Sequence, residues 1–567
     1  MTAVGAPPNL SLKRMALQRW GSFKNDRSSW DPHWRDVSDY LFPGGGRFFL
    51  EDRNKGTDRQ VLILNSIGTL SLETLGAGMM SGASSPARPW FKLGVPPDLE
   101  DDHEAELWLD IATKVVHRIF RKANTYRVKP QLYQETAAFG TGCCVLLPHR
   151  QDVIHYYPVT CGEYGLAQNA EGVVDCIYRE FQMTVGQMVK RFGKAACSAA
   201  VQQLYNAGNL EAGVPVLHLI EPREDRDPFR ADNLNMPFRS VYLEPGNNAD
   251  AVLSESGFRR FPALATRWSV LGNDVYGRGP GRTALPEIKG LQNKELTYAR
   301  GADYKAQPPM QGPASVKEFE VNLLPGGFTP SEAVGGGGRS IEPIFEAQYL
   351  DLNALQGSIE KQERQIERIF FVDLFRMFSY ADKDMTAAES YIRQEEKFVL
   401  LGPVWERLQS DMLAPEVEIA FNAALEGGLL PPMPQQLLDK DVQIEFVSLM
   451  AQAQKQIANN ASERWLGSVL HVALQVPDVL DNFDQDVWAR NSATNLGVEA
   501  QLIRSPQDRD ARRSQRYKAM AAKDQADMMV QQARAAKDFA AAPTGGTQPT
   551  ALTDLTGYSV PPVPGSP

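Results

Sequence analysis

Five short apolar runs occupy residues 142–270: "CCVLLPH", "DVIHYYPV", "VVDCIYREFQM", "VPVLHLIEP" and "SVYLEP". Turn-forming residues bound each run, so each reads as a strand, and "QNAEG" at 168–172 reads as the turn of a hairpin. One helical stretch, about 184–207, interrupts them. Strands in this order lack the regular helix between neighbours that a βαβ crossover needs, so a parallel nucleotide-binding sheet is not expected. Helical sequence flanks the block on both sides. The fold class that follows is α+β, mainly helical. At 567 residues the chain is long enough for two to four domains.

The helical parts declare themselves by apolar period. Leu12–Leu41 is helical and rich in aromatics until "FPGGGRFF" breaks it. Residues 57–84 read as one helix with a wide stripe of Val61, Leu62, Leu64, Ile67, Leu70, Leu72 and Leu75. Core helices follow at about 101–122 and 126–138. "YGRGPGRTALPEIKG" is a turn opening a helix that runs to about Lys305, with Pro286 tolerable near its start. Short strands and "VGGGGRS" fill 306–346. A helix over 347–375 would span about 43 Å. Thr386 and Glu389 form a capping box for a further helix to about Glu426, which Gly402-Pro403 is expected to kink. A strand "VQIEFVS", helices over 450–540 and a Pro/Gly/Thr-rich tail expected to be disordered complete the chain.

Recognisable chemistry is missing. The sequence has no P-loop, and "HEAEL" lacks the second histidine of a zinc-protease helix. Cys143, Cys144, Cys161, Cys176 and Cys197 show no C-x-x-C spacing and read as free, mostly buried thiols of a reducing compartment. His149 and His155 lie near Cys143 and Cys144, but nothing in the sequence orients a base for a nucleophile. "GRGPG" matches a phosphate loop only in its glycines. No metal, cofactor or catalytic residue is expected. No run of 18 apolar residues would insert in a membrane. The net charge of −10 argues against a uniformly basic nucleic-acid binder, though not against nucleic acid on one local face.

In "GAGMMSGASSPARPWFKL" (76–93) the preceding stripe continues, so Gly76, Gly78 and Gly82 are expected at or near a helix end. Met79 and Met80 fill irregular gaps, Pro86 and Pro89 hold the chain extended, and Trp90 and Phe91 anchor the core. Arg88 is left without an assigned partner. Met79, Met80, Pro86, Arg88, Pro89, Trp90 and Phe91 together form the motif of this region.

The order of these segments resembles the portal, or head-to-tail connector, proteins of short-tailed bacteriophages. The resemblance rests on "RWGSFKNDRSSWDPHWRDVSDYLFP" (19–43), "LGAGMMSGASSPARPWFKL" (75–93), "DVYGRGPGRTALPEIKGLQ" (274–292) and "DMTAAESYIRQEEKFVLLGPVWERLQSDMLAPEVEIAF" (384–421), with "LPPMP" and "EFVSLMAQAQK" in order after them. It covers roughly residues 12–530. It implies a portal-type subunit with a wing (1–280), stem helices (281–305 and 347–375), a clip (306–346), a tunnel loop (376–388), a kinked helix returning to the wing (389–450), a helical crown (451–540) and a tail (541–567). It further implies a ring of twelve copies at a capsid vertex, through which double-stranded DNA is packaged and ejected. The implied partners are the terminase large subunit, a tail adaptor, the major capsid protein and scaffold. The implied location is the virion, with host cytoplasm during assembly. A virion-associated enzyme acting on nucleic acid or peptidoglycan, and a tail adaptor, are the alternatives.

Within that resemblance, Arg376 and Lys383 of "RMFSYADKDMT" are candidate phosphate contacts, with Asp382 and Asp384 limiting residence. The stripe Leu352, Leu355, Ile359, Ile366, Ile369, Phe370 and Leu374 is expected to pack on the 281–305 helices of its own and an adjacent subunit.

Overall fold

A computed structural model describes residues 11–48, 60–96, 102–230, 232–312, 322–330, 342–344, 351–376, 401–438, 440, 442–448, 465–471, 473, 478, 483–496, 502, 504 and 506–541. Two compact units divide the chain, 1–94 with 108–497 and 95–107 with 498–567.

The first unit is built on an antiparallel sheet in sequence order: β4 (Tyr164–Gln168), β5 (Val174–Thr184), β6 (Gly213–Pro222), β7 (Phe238–Leu243) and β8 (Ser254–Phe258). Side chains alternate between its faces, and both faces are covered. Ala16, Trp20 and Phe23 of α1 (Leu12–Arg27) pack on Tyr178, Leu217, Leu219, Val241 and Leu243. On the other face Met188 of α6 (Val185–Phe192) and Val201 of α7 (Ala199–Asn206) meet Val214, Val216 and Tyr242. The helix expected over 184–207 is these two, parted at Gly193, whose φ of +83° ends the first.

A second antiparallel sheet places β2 (Thr141–His149) between β3 (Val153–Val159) and β9 (Ala263–Arg267). Helices α2 (Asp31–Tyr40), α3 (Ile67–Ala83), α5 (Thr125–Phe139) and, from Trp108 onward, α4 (His103–Lys122) also belong to the first unit. Strand β1 (Phe91–Gly94) pairs with β13 (Gln443–Phe446), Phe91 opposite Phe446, so the two ends of a 350-residue excursion meet. Helix α8 (Pro280–Ala306) leads to a small sheet of β10 (Met310–Gly312), β11 (Phe328–Pro330) and β12 (Glu342–Pro343), with β10 central. Helices α9 (Leu352–Ile369) and α10 (Val372–Arg376) return from it.

Two expected helices are revised. The stretch 57–84 is α-helical only from Ile67, after a 3-10 turn at Gln60–Leu62. Before it, Gln292 takes the Leu64 and Asn65 amides and the Asn65 side chain accepts from the Ile67 amide, a side-chain bond that competes with the helix ladder. The stretch 347–375 breaks after Ile369, where Phe371 adopts φ +56°, so its two pieces are shorter than one 43 Å rod. In the described stretch 401–426 the ladder departs from α geometry at a π-helical turn, Gln409–Leu413, while the turn before Gly402-Pro403, where the kink is expected, lies outside the described residues. Pro415 lacks the amide that Asp411 would receive, and the widened turn precedes α11 (Ala414–Glu426).

Residues 465–471, α12 (Gln485–Leu496) and, in the second unit, the 36-residue α13 (Pro506–Ala541) are helical in the region expected to be so. The side chains of α13 that are described are nearly all exposed. The Thr386–Glu389 capping box, Lys383, Asp382, Asp384, "VGGGGRS", the first ten residues and the tail from 542 lie outside the described residues.

Candidate functional site

Helices α8 and α9 lie side by side, and the residues that join them are spaced by turns of both. Lys294 Nζ donates to Ser358 Oγ at 2.9 Å, while Gln362 Nε2 donates to the Glu287 carbonyl at 3.0 Å and to its carboxylate at 2.8 Å. The rising partner number on one helix against the falling number on the other makes the pair antiparallel. Of the expected stripe, Ile359, Ile366, Phe370 and Leu374 are buried within the single chain, whereas Leu352, Leu355 and Ile369 are half-buried. Arg376, at the end of α10, is half-exposed and forms an ion pair with Glu367 at 3.1 Å.

The helical stretch 401–426 is anchored within the first unit by two carboxylates. Asp411, in the π turn, meets the nearly buried Arg267 guanidinium at 3.0 Å. Glu416 is fully buried, 2.9 Å from the equally buried Lys129 Nζ, and accepts from the Tyr156 hydroxyl at 2.5 Å. Five residues separate these carboxylates, about 140° apart on a pure α-helix. The wider π turn reduces that angle and brings both toward one side. Burial pulls the Lys129 ammonium below its usual range, against the opposing pull of Glu416.

Lys129 also connects this anchor to the 76–93 motif. Its Nζ sits 4.0 Å from the centroid of the Trp90 ring, a cation–π contact inside the core. Trp90 stacks on Phe120, meets Phe91 edge-on, and donates Nε1–H to the Tyr126 hydroxyl at 3.3 Å. Met79, Trp90 and Phe91 are buried and Met80 is half-buried. Pro86, Arg88 and Pro89 are exposed. The buried part of the motif is therefore narrower than expected: the turn carrying the prolines lies at the surface, and the core resumes at Trp90. Gly76, Gly78 and Gly82 fall in the last turns of α3, Gly82 one residue before its end. A Cβ on Gly78 would come within 2.2 Å of the Phe375 ring, so the small residue admits α10 against α3.

The glycines of "GRGPG" have the same use on a larger scale. Cβ atoms on Gly277, Gly279 and Gly281 would meet the carbonyl oxygens of Gly140, Ala137 and Ala138 at 2.3–2.4 Å. The start of α8 is thus laid directly against the backbone at the end of α5, and the motif is a packing device. All five cysteines are buried. Burial pushes Cys143 up to about 12 and Cys144 well above its ordinary value, which makes thiols rather than nucleophiles of them. In a groove lined by Trp20, Lys24, Arg27, Asp31, Arg47, Glu163 and Glu180, Lys24 pairs with Glu180 at 2.8 Å and Arg27 with Asp31 at 3.0 Å. Among the described residues no three His, Cys, Asp or Glu side chains gather as a metal ion would require, and no helix is long and apolar enough to cross a membrane.

Lys129, Tyr156, Arg267, Asp411 and Glu416 were not singled out from the sequence. Nothing local marks them, because the partners lie 144 and 287 positions apart.

Residues 13–503 match the family of bacteriophage head to tail connecting proteins. The chain belongs to that family, and its fold is that of a connector subunit. It is 42% identical over 546 residues to the probable portal protein of Bordetella phage BPP-1, covering 96% of this chain and 98% of that one. It is 36% identical over 549 residues to the portal protein of Salmonella phage epsilon15, with the same two coverages. A solved chain from the neck of an empty gene transfer agent particle covers 71% of this chain and 87% of its own at 12% identity, with a TM-score of 0.32, too slight a likeness to bear on function.

Proposed function

We propose that the chain is the structural portal subunit of a short-tailed phage, whose copies form a ring at the head-tail junction of the virion. Double-stranded DNA enters and leaves the head through that ring. The observation that carries this reading is identity to two phage portal proteins along 96% of the chain. On this reading the subunit is a conduit and a docking platform, not an enzyme. The ring has twelve copies, and the terminase large subunit docks on it during packaging. A tail adaptor replaces the terminase, and the major capsid protein and scaffold surround the ring.

The proposed parts keep the boundaries given by the resemblance: wing 1–280, stem 281–305 and 347–375, clip 306–346, tunnel loop 376–388, return 389–450, crown 451–540. The antiparallel pair α8–α9 with a small sheet between its halves supports the stem and clip. Arg376 and Lys383 are proposed as weak, transient phosphate contacts. The Glu367 partner of Arg376 supports a brief contact, since phosphate must compete with a carboxylate already in place. Native mass measurement and end-on images of the purified protein test the reading. Twelve-fold rings with a central hole are expected, and a compact monomer at every concentration refutes it. Rings carrying Arg376→Ala and Lys383→Ala that package and eject DNA at wild-type rates would remove the phosphate contacts alone.

A further inference from the structure

Residues 60–72, "QVLILNSIGTLSL", form a run of thirteen positions without a charge in a chain that is 23% charged. Its composition demands burial, yet the chain leaves much of it bare. Val61 is 74% exposed, Leu62 46%, Leu64 56% and Leu70 55%. Isolated exposed leucines are ordinary, but three within four positions make a patch.

The patch is held in place rather than frayed. Gln292 of α8 accepts from the Leu64 amide at 2.7 Å and the Asn65 amide at 2.8 Å, and donates to the Asn65 carbonyl at 2.9 Å. Asn65 Nδ2 donates at 2.7 Å to both Glu295 of α8 and Glu363 of α9. A polar clamp thus fixes an uncharged apolar surface to the antiparallel helix pair. Such a surface is pre-organised for a partner, because little ordering entropy remains to be lost on contact.

We infer that the surface around Val61, Leu62 and Leu64 is covered by a second copy of this chain, as one side of the contact between neighbouring subunits. The inference rests on the ring proposed above. A ring closes by a head-to-tail contact in which every subunit offers the same patch to its neighbour. Each copy carries a net −10, so like charges set against each other at the contact would add to the repulsion between copies, and this run offers an uncharged stretch held at the surface. Interface cores are depleted of charge in the same way.

Two variants test it. In Leu62→Asp/Leu64→Asp the substituted positions face water in the single chain. The subunit is therefore expected to melt as wild type does while the concentration needed for assembly rises at least about tenfold, read by native mass. In Leu64→Cys the new thiol is the accessible one, since all five native cysteines are buried. Its maleimide labelling is expected to be fast in subunits and about tenfold slower or more in rings. Wild-type assembly by the Asp variant, or equal labelling in rings and subunits, overturns the inference. A lower melting temperature of the isolated variant subunit would mean that the chain covers its own patch. Normal rings with lost infectivity would assign the patch to another virion protein. Either result overturns the second copy as occupant. Wild-type protein that stays monomeric refutes the portal reading itself, separately from the variants.

Discussion

Lys129 and Glu416 have almost no route to water, and each is the other's only ionic partner among the described residues. Desolvating two charges cancels much of their attraction, so the pair adds little net stability, but removing one member leaves a buried charge alone. Glu416→Leu and Lys129→Met are each expected to cost about 3–5 kcal/mol in urea denaturation, and the double replacement distinctly less than their sum. A second buried carboxyl acts through pH. Glu135 is buried among the Thr160 hydroxyl at 2.5 Å and the Cys161 amide at 3.2 Å, and burial raises it from 4.5 to about 7. Its folded form holds the proton more tightly than its unfolded form, so stability is greatest below about 4.5 for this group. It falls as pH rises through the window to about 7. Glu135→Gln is expected to flatten that fall, which amounts to about 3 kcal/mol across the window, as measured by denaturation at a series of pH values.

At the scale of elements, close backbone approach decides more than helix propensity does. Gly281 lies inside α8, where alanine is ordinarily favoured by about 1 kcal/mol. Its Cβ would stand 2.3 Å from the Ala138 carbonyl oxygen, and neither backbone can yield without separating α8 from α5. Gly281→Ala is therefore expected to destabilise by about 2 kcal/mol or more, whereas Gly357→Ala in α9, with nothing within 4 Å of the new methyl, is expected to stabilise by up to about 1 kcal/mol. Thermal melts of the two variants separate the effects by sign. The same contrast shows what the sequence can disclose. Period-2 and period-3.6 patterns place β2, β3, β5, β6 and β7 and the helices α4, α5 and α8 within a few residues of their ends, because those patterns record which face is buried, whereas β4, β8 and β9 do not read as strands. Phe371 at φ +56°, the late start of α3 and the glycine contacts of 277–281 depend on neighbours far along the chain, and no window of local sequence contains them. The candidate DNA contacts were legible only through resemblance, since a conduit has no catalytic constellation to spell out.

The whole molecule carries ten more negative than positive charges, and its proposed assembly packs like-charged copies around an equally negative cargo. Both relations are opposed by long-range repulsion, which salt weakens over a screening length of about 10 Å at 0.1 M. Assembly of subunits is therefore expected to become tighter as salt rises from about 50 to 300 mM, the reverse of an interface held by opposite charges. DNA contact has the other dependence. DNA bears a charge every 1.7 Å or so of its axis, and a wall of lysine and arginine would hold it in wells that deepen as salt falls. A chain with 59 basic against 69 acidic residues offers a smoother path, with contacts confined to a few basic side chains. Assembled rings are thus expected to retain little free duplex at about 150 mM salt and to show a shallow salt slope, measured by sedimentation of rings with labelled duplex. Tight retention with a steep slope would mean that the channel wall grips its cargo, and it would move the repulsive surface elsewhere on the subunit.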